Sequence, residues 1–278
     1  MADKERIGIV GIGRMGLSMA KHLLKHGYPV VACDHNPKQC EAARAAGAAI
    51  AATPAEVGKA ARFVIIGVGY DDEVLAVMTG DDGLLATMQP GSVVAISSTC
   101  APEFAKQMDE TARQKGVDIF DAPICRGAKA ADDGTLLGLV GAKPDVFARG
   151  QPIYATFCSD IAHLGPVGAG QVGKAMNNYL LWVNGIALIE AGRLCEANDM
   201  DLLKLREALL MSSGASDALK SWDNVTFTWA LKDMQIVMKM ADKAGLSLPI
   251  AGAIKELVKD GRRIKASNAP EWTGKKAR

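Results

Sequence analysis

The chain has 278 residues, and its 32 lysines and arginines nearly balance its 31 aspartates and glutamates, so the formal net charge is +1. This balance argues against a broad nucleic-acid surface or a polybasic membrane patch. The 49% of hydrophobic residues and 23% of charged residues exclude a disordered chain. At roughly 150 residues per domain, the length predicts about two domains.

Short apolar runs alternate with helical patterns over the first part of the chain. The run Arg6–Val10 ends in glycines and predicts a buried parallel strand, and a helix is predicted from Met15 to His26. Further strands are predicted at 29–33, 63–68, 93–96, 119–122 and 136–140, and a second helix at 37–46. This alternation predicts βαβ units in an α/β fold with a doubly wound parallel sheet.

The pattern changes after the glycine-rich stretch 165–170. One long helix is predicted at about residues 171–197, and helix-compatible segments follow at 202–211, 217–220, 227–244 and 250–263. The sequence therefore predicts a first domain over residues 1–165 and an all-helical C-terminal domain over 166–278, joined by the long helix. The polar segment 268–278 is expected to fray.

The segment after the first predicted strand fits the G-x-G-x-x-G pattern of dinucleotide-binding loops, with glycines at Gly11, Gly13 and Gly16. Gly11 allows a tight turn, Gly13 lets a pyrophosphate approach the backbone, and Gly16 lets the helix pack closely on the strand. The N–H groups near Arg14 and Met15 would then face the phosphates at the positive end of the helix. The loop thus predicts an NAD-binding Rossmann-type domain.

A carboxylate, Asp34, follows the second predicted strand. A carboxylate at this place accepts hydrogen bonds from the adenosine ribose hydroxyls and repels a 2′-phosphate. No arginine stands next to Asp34, where His35, Asn36 and Pro37 follow, so NAD is favoured over NADP as the cofactor. A glycine-rich turn without a ligand is the alternative interpretation of the loop.

The predicted long helix carries a polar stripe. At about 100° per residue, Lys174, Asn177 and Asn178 lie on one face together with Asn184. The rest of residues 173–189 is almost wholly apolar, so these polar groups need partners. A polar ligand between the domains would supply them. The alternative is a lysine that extends into solvent while the amides cap neighbouring backbone.

The cysteines and histidines predict no metal site. No C-x-x-C or H-E-x-x-H spacing occurs among the six cysteines and four histidines. Thiols in a chain without a signal peptide favour a reducing, cytoplasmic location. The longest apolar stretch, at 179–189, is interrupted and too short to span a membrane, so we expect neither a membrane nor a nucleic-acid partner.

In its motifs the chain resembles the β-hydroxyacid dehydrogenase family, which includes 3-hydroxyisobutyrate dehydrogenases, tartronate semialdehyde reductases and sulfolactaldehyde reductases. The resemblance extends over nearly the whole chain. It is carried in order by GIVGIGRMG, Ser97-Ser98-Thr99, Asp121-Ala122-Pro123, Gly134-Thr135-Leu136, the G-x-G-x-x-x-K-x-x-x-N run at 168–178, and Lys232-Asp233. It implies an NAD-dependent oxidoreductase, a homodimer or homotetramer, that interconverts a short β-hydroxy acid and its semialdehyde by hydride transfer.

The resemblance also implies roles for individual residues. Lys174 would be the general acid/base, which protonates the nascent alkoxide or takes the hydroxyl proton. The predicted substrate site comprises Thr99, Cys125, Arg126, Gly127, Asn177 and Asn178. The predicted cofactor site comprises Gly11, Gly13, Arg14, Met15, Gly16, Asp34, Val68, Thr99 and Lys232.

The substrate loop departs from the family's usual D-A-P-V-S-G-G, because Cys125 and Arg126 replace the serine and the first glycine. Arg126 stands where the acid group of an anionic substrate is expected to dock, and its planar fork can bind a carboxylate or a sulfonate. The alternatives are an ion pair of Arg126 with Asp132 or Asp133 and an inert thiol at Cys125. Two other functions stay open, a non-catalytic dinucleotide-binding sensor or scaffold and a reductase of a larger, less polar carbonyl.

Overall fold

The computed structural model describes residues 4–267 and 269–274, which form two compact units that divide between Lys174 and Ala175. The predicted end of the first domain, residue 165, is the last residue of the last described strand, whereas the two units divide after Lys174. The strands of the first unit, within the described residues, are β1 (Ile7–Val10), β2 (Val30–Cys33), β3 (Ala49–Ile50), β4 (Phe63–Ile66), β5 (Val93–Ile96), β6 (Asp118–Asp121), β7 (Ile124–Cys125), β8 (Leu136–Gly141) and β9 (Cys158–Gly165).

Helices connect these strands. They are α1 (Arg14–Lys25), α2 (Pro37–Ala45), α3 (Pro54–Ala60), α4 (Asp71–Thr79), α5 (Pro102–Arg113), α6 (Gly127–Asp133) and α7 (Pro144–Tyr154), followed by the long helix α8 (Ala169–Glu196). Several begin where the sequence provides a start signal, since proline occupies the first turn of α2, α3, α5 and α7.

Strands β1 to β6 form a parallel sheet in the order β3-β2-β1-β4-β5-β6. Alternate residues of each strand enter two separate apolar cores, so that Phe63 and Ile65 pack on one face and Val64 and Ile66 on the other. Burial on both faces explains why these strands are continuous apolar runs. The predicted doubly wound sheet is confirmed for this part of the chain.

The last three strands differ from the prediction. The strand expected at 136–140 is present as β8, but it runs antiparallel to β6 and β7 and parallel to β9. The sequence did not indicate β3 or β7, which have only two residues each, or β9, whose side chains are mostly exposed or half-buried. None of these strands forms the buried apolar run that marks the predicted ones.

The second unit contains the rest of α8 together with α9 (Leu202–Leu210), α10 (Asp217–Lys220), α11 (Ala230–Ala244) and α12 (Pro249–Ser267). No strand occurs in its described residues, so the predicted all-helical region is confirmed. Its core is built around large side chains such as Trp182, Phe227 and Met234. None of the described helices is both long and apolar enough to cross a membrane.

The expectation that segment 268–278 frays is wrong at Trp272. This side chain is fully buried, and its indole N–H donates a hydrogen bond to the Leu188 carbonyl at 3.0 Å. Pro270 and Trp272 cover Gly192 of α8, where a Cβ would lie 2.3 Å from the proline ring. The indole thus anchors the described part of this segment, and residues 268 and 275–278 lie outside the described residues.

Candidate functional site

The glycine-rich loop after β1 has the geometry that its sequence predicted. Gly11 has a φ of +90°, and a Cβ on Gly16 would lie 2.1 Å from the Gly11 carbonyl oxygen, so both positions require glycine. A Cβ on Gly13 would meet open space. Among the described residues no side chain caps this end of α1, so its first N–H groups face outward from the loop. The loop is therefore suited to a phosphate group.

The carboxyl ends of β1, β4 and β5 bring three loops to one edge of the sheet, at the point where the strand order reverses. Val68 follows β4, and its N–H donates to the Ser98 hydroxyl at 2.9 Å. Thr99 is the next residue of the β5 loop. Met15, on the glycine-loop side, packs against the core of the sheet. The structure thus brings Val68 and Thr99 to the edge that also carries the glycine loop.

Asp34 ties the end of β2 to the glycine loop. Its side chain is 8% exposed, and its two oxygens accept hydrogen bonds from the Ile12 N–H at 2.6 Å and the Asn36 N–H at 2.8 Å. A carboxylate has about four acceptor positions, so these bonds leave capacity for ribose hydroxyls. Together with the uncapped start of α1, the anionic Asp34 fits the adenosine end of a dinucleotide.

The Arg14 side chain, predicted in the cofactor site, is engaged within the protein. Its Nη1 donates to Asp132 Oδ1 of α6 at 2.6 Å, its Nη2 also contacts that carboxylate, and Ser18 joins the cluster. The guanidinium and then the Ser18 hydroxyl hold the pKa of Asp132 below its usual range. The backbone of Arg14 forms the first residue of α1.

Lys174 lies beside the loop that carries the predicted substrate residues. Its ammonium donates to the Ile124 carbonyl oxygen at 2.7 Å and lies 3.7 Å from Cys125 Sγ. The lysine is half-buried and Cys125 is 3% exposed. The structure therefore brings Lys174 and Cys125 together.

Arg126 is bonded to the strand β9. It has a φ of +83°, and Gly127 after it has a φ of +74°. Its Nη1 donates to Asp160 Oδ2 at 2.6 Å, to Ser159 Oγ at 2.9 Å and to the carbonyl oxygen of Thr135 at 3.1 Å. This ion pair is neither of those expected as the alternative role, because Asp132 pairs with Arg14 and Asp133 with Lys129. The polar strand β9, which the sequence did not indicate, supplies the partner.

A buried polar network next to Lys174 was missed as part of the site. Asp121 and Gln171 are 0% and 1% exposed, their side chains hydrogen-bond to each other, and Gln171 also bonds to the Ser98–Cys100 segment. The one sequence signal was an aspartate at the end of an apolar strand. Gln171 lies in a predicted helix whose other residues are mostly apolar, and nothing in the sequence singled it out as a functional residue.

The remaining predicted residues belong to the second unit. Asn177 donates to the Asn178 side-chain oxygen at 3.0 Å, and Asn178 is 6% exposed. The Lys232 ammonium lies 5.8 Å from the centre of the Trp229 ring. Their assignment to a substrate or cofactor site stays a prediction.

Two family models together cover most of the chain. One, described as the NAD binding domain of 6-phosphogluconate dehydrogenase, matches residues 6–165. The other, described as the NAD-binding of NADP-dependent 3-hydroxyisobutyrate dehydrogenase, matches residues 168–269. The second description and Asp34 differ in the cofactor they favour, and both agree on a dinucleotide.

Named relatives agree with these models. The chain is 35% identical to the mitochondrial 3-hydroxyisobutyrate dehydrogenase of Mus musculus over 82% of its own length and 66% of that protein's. It is 36% identical to an NAD-dependent L-serine dehydrogenase of Pseudomonas aeruginosa, over 79% of this chain and 74% of that one. The match thus spans about two thirds of the first of these relatives and about three quarters of the second.

A solved structure, the 3-hydroxyisobutyrate dehydrogenase of Mycobacterium tuberculosis with L-serine, superposes with a TM-score of 0.86 at 25% identity, covering 96% of both chains. The dehydrogenase names of the relatives agree with the enzyme class expected from the sequence. From the matched models, the identities and this shared fold, we conclude that the chain belongs to the β-hydroxyacid dehydrogenase family.

Proposed function

We propose that the protein is an NAD-dependent oxidoreductase that interconverts a short-chain β-hydroxy acid and its semialdehyde, with Lys174 as general acid/base. The observation that carries the proposal is the half-buried Lys174 ammonium, held by the Ile124 carbonyl next to the predicted substrate loop. Relatives named as dehydrogenases of 3-hydroxyisobutyrate and L-serine, both small hydroxy acids, support the substrate class.

Lys174 would manage the proton that accompanies hydride transfer. In the reducing direction its ammonium donates a hydrogen bond to the aldehyde oxygen and then gives up a proton as that oxygen gains negative charge. In the oxidising direction the neutral amine takes the hydroxyl proton. The Ile124 carbonyl and Cys125 Sγ accept two of the three ammonium protons, which leaves one for a substrate.

The residues of the first unit are suited to hold the cofactor. A bound nicotinamide dinucleotide supplies or accepts the hydride. We infer that the first N–H groups of α1 bind its pyrophosphate and that Asp34 binds the adenosine ribose. The negative charge of Asp34, already close to the Ile12 N–H, would repel a 2′-phosphate, so we propose NAD as the preferred cofactor.

Arg126 would bind the acid group of the substrate. It already donates to the Asp160 carboxylate, which shows that its fork can take an anionic oxygen at 2.6 Å. A substrate carboxylate or sulfonate would have to share or replace that partner. The roles of Thr99, Gly127, Asn177, Asn178 and Lys232, the homodimeric or homotetrameric state and the cytoplasmic location stay predictions.

A substrate panel tests the proposal. Purified protein is assayed with NADH and with NADPH against methylmalonate, tartronate and succinate semialdehydes, sulfolactaldehyde and an uncharged aldehyde of similar size. We expect NADH-dependent reduction, with the highest kcat/KM for one of the acids. Binding of NADH without reduction of any compound would favour a sensor or scaffold. A preference for the uncharged aldehyde would favour a reductase of less polar carbonyls.

A further inference from the structure

A carboxylate with no access to solvent holds the start of α8. Asp121, the last residue of β6, is 0% exposed. Its Oδ2 accepts hydrogen bonds from the Gly168 N–H at 2.9 Å and the Gln171 N–H at 3.3 Å, and its Oδ1 accepts one from Gln171 Nε2 at 2.9 Å. Asp121 thus caps the first turn of the helix that carries Lys174.

Gln171 extends this contact to the loop after β5. Its Oε1 accepts a hydrogen bond from the Cys100 N–H at 3.0 Å, and its Nε2 also donates to the Ser98 carbonyl at 3.0 Å. The two bonds hold the backbone on both sides of Thr99. Because the Ser98 hydroxyl accepts from Val68, the network also reaches the loop after β4.

The same network fixes the position of Lys174. Gln171 precedes Lys174 by nearly one turn of α8, and Ile124, whose carbonyl accepts from the lysine, lies three residues after Asp121. The segment from Asp121 to Ile124 therefore contacts α8 at two residues about one turn apart. Asp121 contacts Gln171, and Ile124 contacts Lys174. A shift of the first contact would move the lysine ammonium relative to the loop.

The charge on Asp121 suits this task. Its hydrogen-bond partners within the described residues are all N–H donors, which an ionised carboxylate satisfies and a neutral amide cannot. The positive end of α8 favours the same charge. Burial raises the pKa of Asp121 to about 6, and the hydrogen bonds from Gln171, Gly168 and Gly170 oppose that rise. The carboxylate is thus mainly ionised at neutral pH.

We propose that Asp121 and Gln171 are positioning residues that act as one unit, fixing the first turn of α8 and the Ser98–Cys100 segment so that the Lys174 ammonium stands at the reacting oxygen. The proposal rests on the proposed function of Lys174, because it assigns the placement of that group to two buried side chains that touch neither substrate nor cofactor.

The test compares two aspartates of one strand. Asp121→Asn keeps the shape of the side chain but directs an NH2 group at N–H donors, so we expect kcat to fall about 100-fold while the Kd of NADH and the KM of the aldehyde stay near wild type. Asp118→Asn is the matched control, because Asp118 lies at the other end of β6 and pairs with Lys143 at 2.6 Å. Its kcat should equal that of the wild type.

Gln171→Met gives a second variant of similar volume that lacks the donors and acceptor. If the two residues act as one unit, the double variant Asp121→Asn/Gln171→Met should lose no more kcat than the worse single variant. If the fold loss of kcat in the double variant equals the product of the two single losses, the residues act separately. That result would overturn the proposal.

Chemical labelling separates this proposal from the proposed function. Trace acetylation followed by mass spectrometry measures the reactivity of Lys174 without any substrate, and Asp121→Asn should raise it severalfold while Asp118→Asn should not. If the wild type reduces no aldehyde, the proposed function fails, and unchanged reactivity of Lys174 in Asp121→Asn would overturn the positioning role on its own. If the wild type is active, a kcat of Asp121→Asn equal to wild type would also overturn it.

Discussion

Lys174 and Arg126 are two cations beside the same short strand, β7, and their surroundings are opposite. Lys174 is half-buried, and its ammonium contacts the Ile124 carbonyl and Cys125 Sγ, neither of which belongs to a carboxylate. Arg126 is more exposed, with 42% of its side chain accessible, and it pairs with the Asp160 carboxylate. One cation keeps its charge available to a ligand, while the other is largely neutralised within the protein.

The difference follows from elementary electrostatics. A positive charge next to neutral acceptors attracts a developing alkoxide at full strength, and partial burial weakens the screening by water. A guanidinium that already bonds a carboxylate offers a second anion less attraction. We therefore expect the chemistry to depend strongly on Lys174 and weakly on Arg126 as long as Asp160 is present.

The largest expected effect is at Lys174. Lys174→Ala should lower kcat about 1,000-fold, because it removes the proton donor and its charge, and the Kd of NADH should hardly change. Steady-state kinetics and a fluorescence titration with NADH measure both values. Lys129→Ala, which removes an exposed lysine paired with Asp133 on α6, is the control and should keep the kcat of the wild type. Equal kcat values for the two variants would contradict the account.

A smaller effect is expected at Asp34, which tests whether a third charge, held by backbone N–H groups, selects the cofactor. Asp34→Ser should reduce the ratio of kcat/KM for NADH over NADPH about 100-fold, because it removes the repulsion of the 2′-phosphate. His35→Ala, at the adjacent side chain that is 97% exposed, should leave the ratio unchanged. A wild-type preference for NADPH would make the assignment of Asp34 wrong.

Variants of Arg126 and of its partner Asp160 should change the KM of acid semialdehydes by about tenfold. If the guanidinium binds the acid group, Arg126→Ala raises the KM of acid semialdehydes about 10-fold and does not alter the KM of an uncharged aldehyde. Asp160→Asn should act in the opposite direction, because it releases Arg126 from its ion pair. Equal changes for charged and uncharged aldehydes in both variants would assign Arg126 a structural role.

A further prediction concerns stability and pH. The pKa of Asp121 is about 6 in the fold, above the value of 3.8 for an ordinary aspartate, so the folded state binds this proton more tightly than the unfolded state. The free energy of unfolding of the wild type, relative to Asp121→Asn, should therefore decrease by about 2 kcal/mol as the pH rises from about 4 to about 6. The charge of Asp121 also acts on the nearby Tyr154. Burial keeps the pKa of Tyr154 far above this pH window, so its hydroxyl does not titrate there.

Urea denaturation of both proteins at pH 4.5 and pH 7 measures this difference. We expect the free energy of unfolding of the wild type, relative to that of Asp121→Asn, to be lower at pH 7 than at pH 4.5. A higher relative value at pH 7 would contradict the prediction. Asp118→Asn serves again as the control, because Asp118 is only partly buried on the same strand and 29% of its side chain is accessible.

The sequence predicted those parts of the fold that local pattern determines. Buried parallel strands such as β4 are continuous apolar runs, and the loop at Gly11 requires glycine for its backbone conformation, so both are visible in the residues alone. The strand β9 was not visible, because a polar edge strand lacks that signal. The antiparallel direction of β8 relative to β6 could not be predicted either, because strand direction depends on pairing between residues far apart in the chain.

The candidate site shows the same division. The glycine loop, Asp34 and Lys174 stand in motifs with fixed spacing, so each could be named from the sequence. The partner of Arg126 could not, because Asp160 is 34 residues away on an unpredicted strand and nearer acidic residues were available. The Asp121–Gln171 contact joins residues 50 positions apart, and the pairing exists only once β6 and α8 are in place.

Chemical rescue of Lys174→Ala tests the central claim most directly. The variant is loaded with NADH and mixed with the best acid semialdehyde in a single-turnover experiment, and the loss of NADH absorbance is followed with increasing methylamine or ethylamine. If Lys174 supplies the proton, the rate should rise with the amine concentration and reach a larger value for amines that fit the space left by the side chain. A rate that does not respond to any amine, in a variant that binds NADH normally and is correctly folded, would contradict the account.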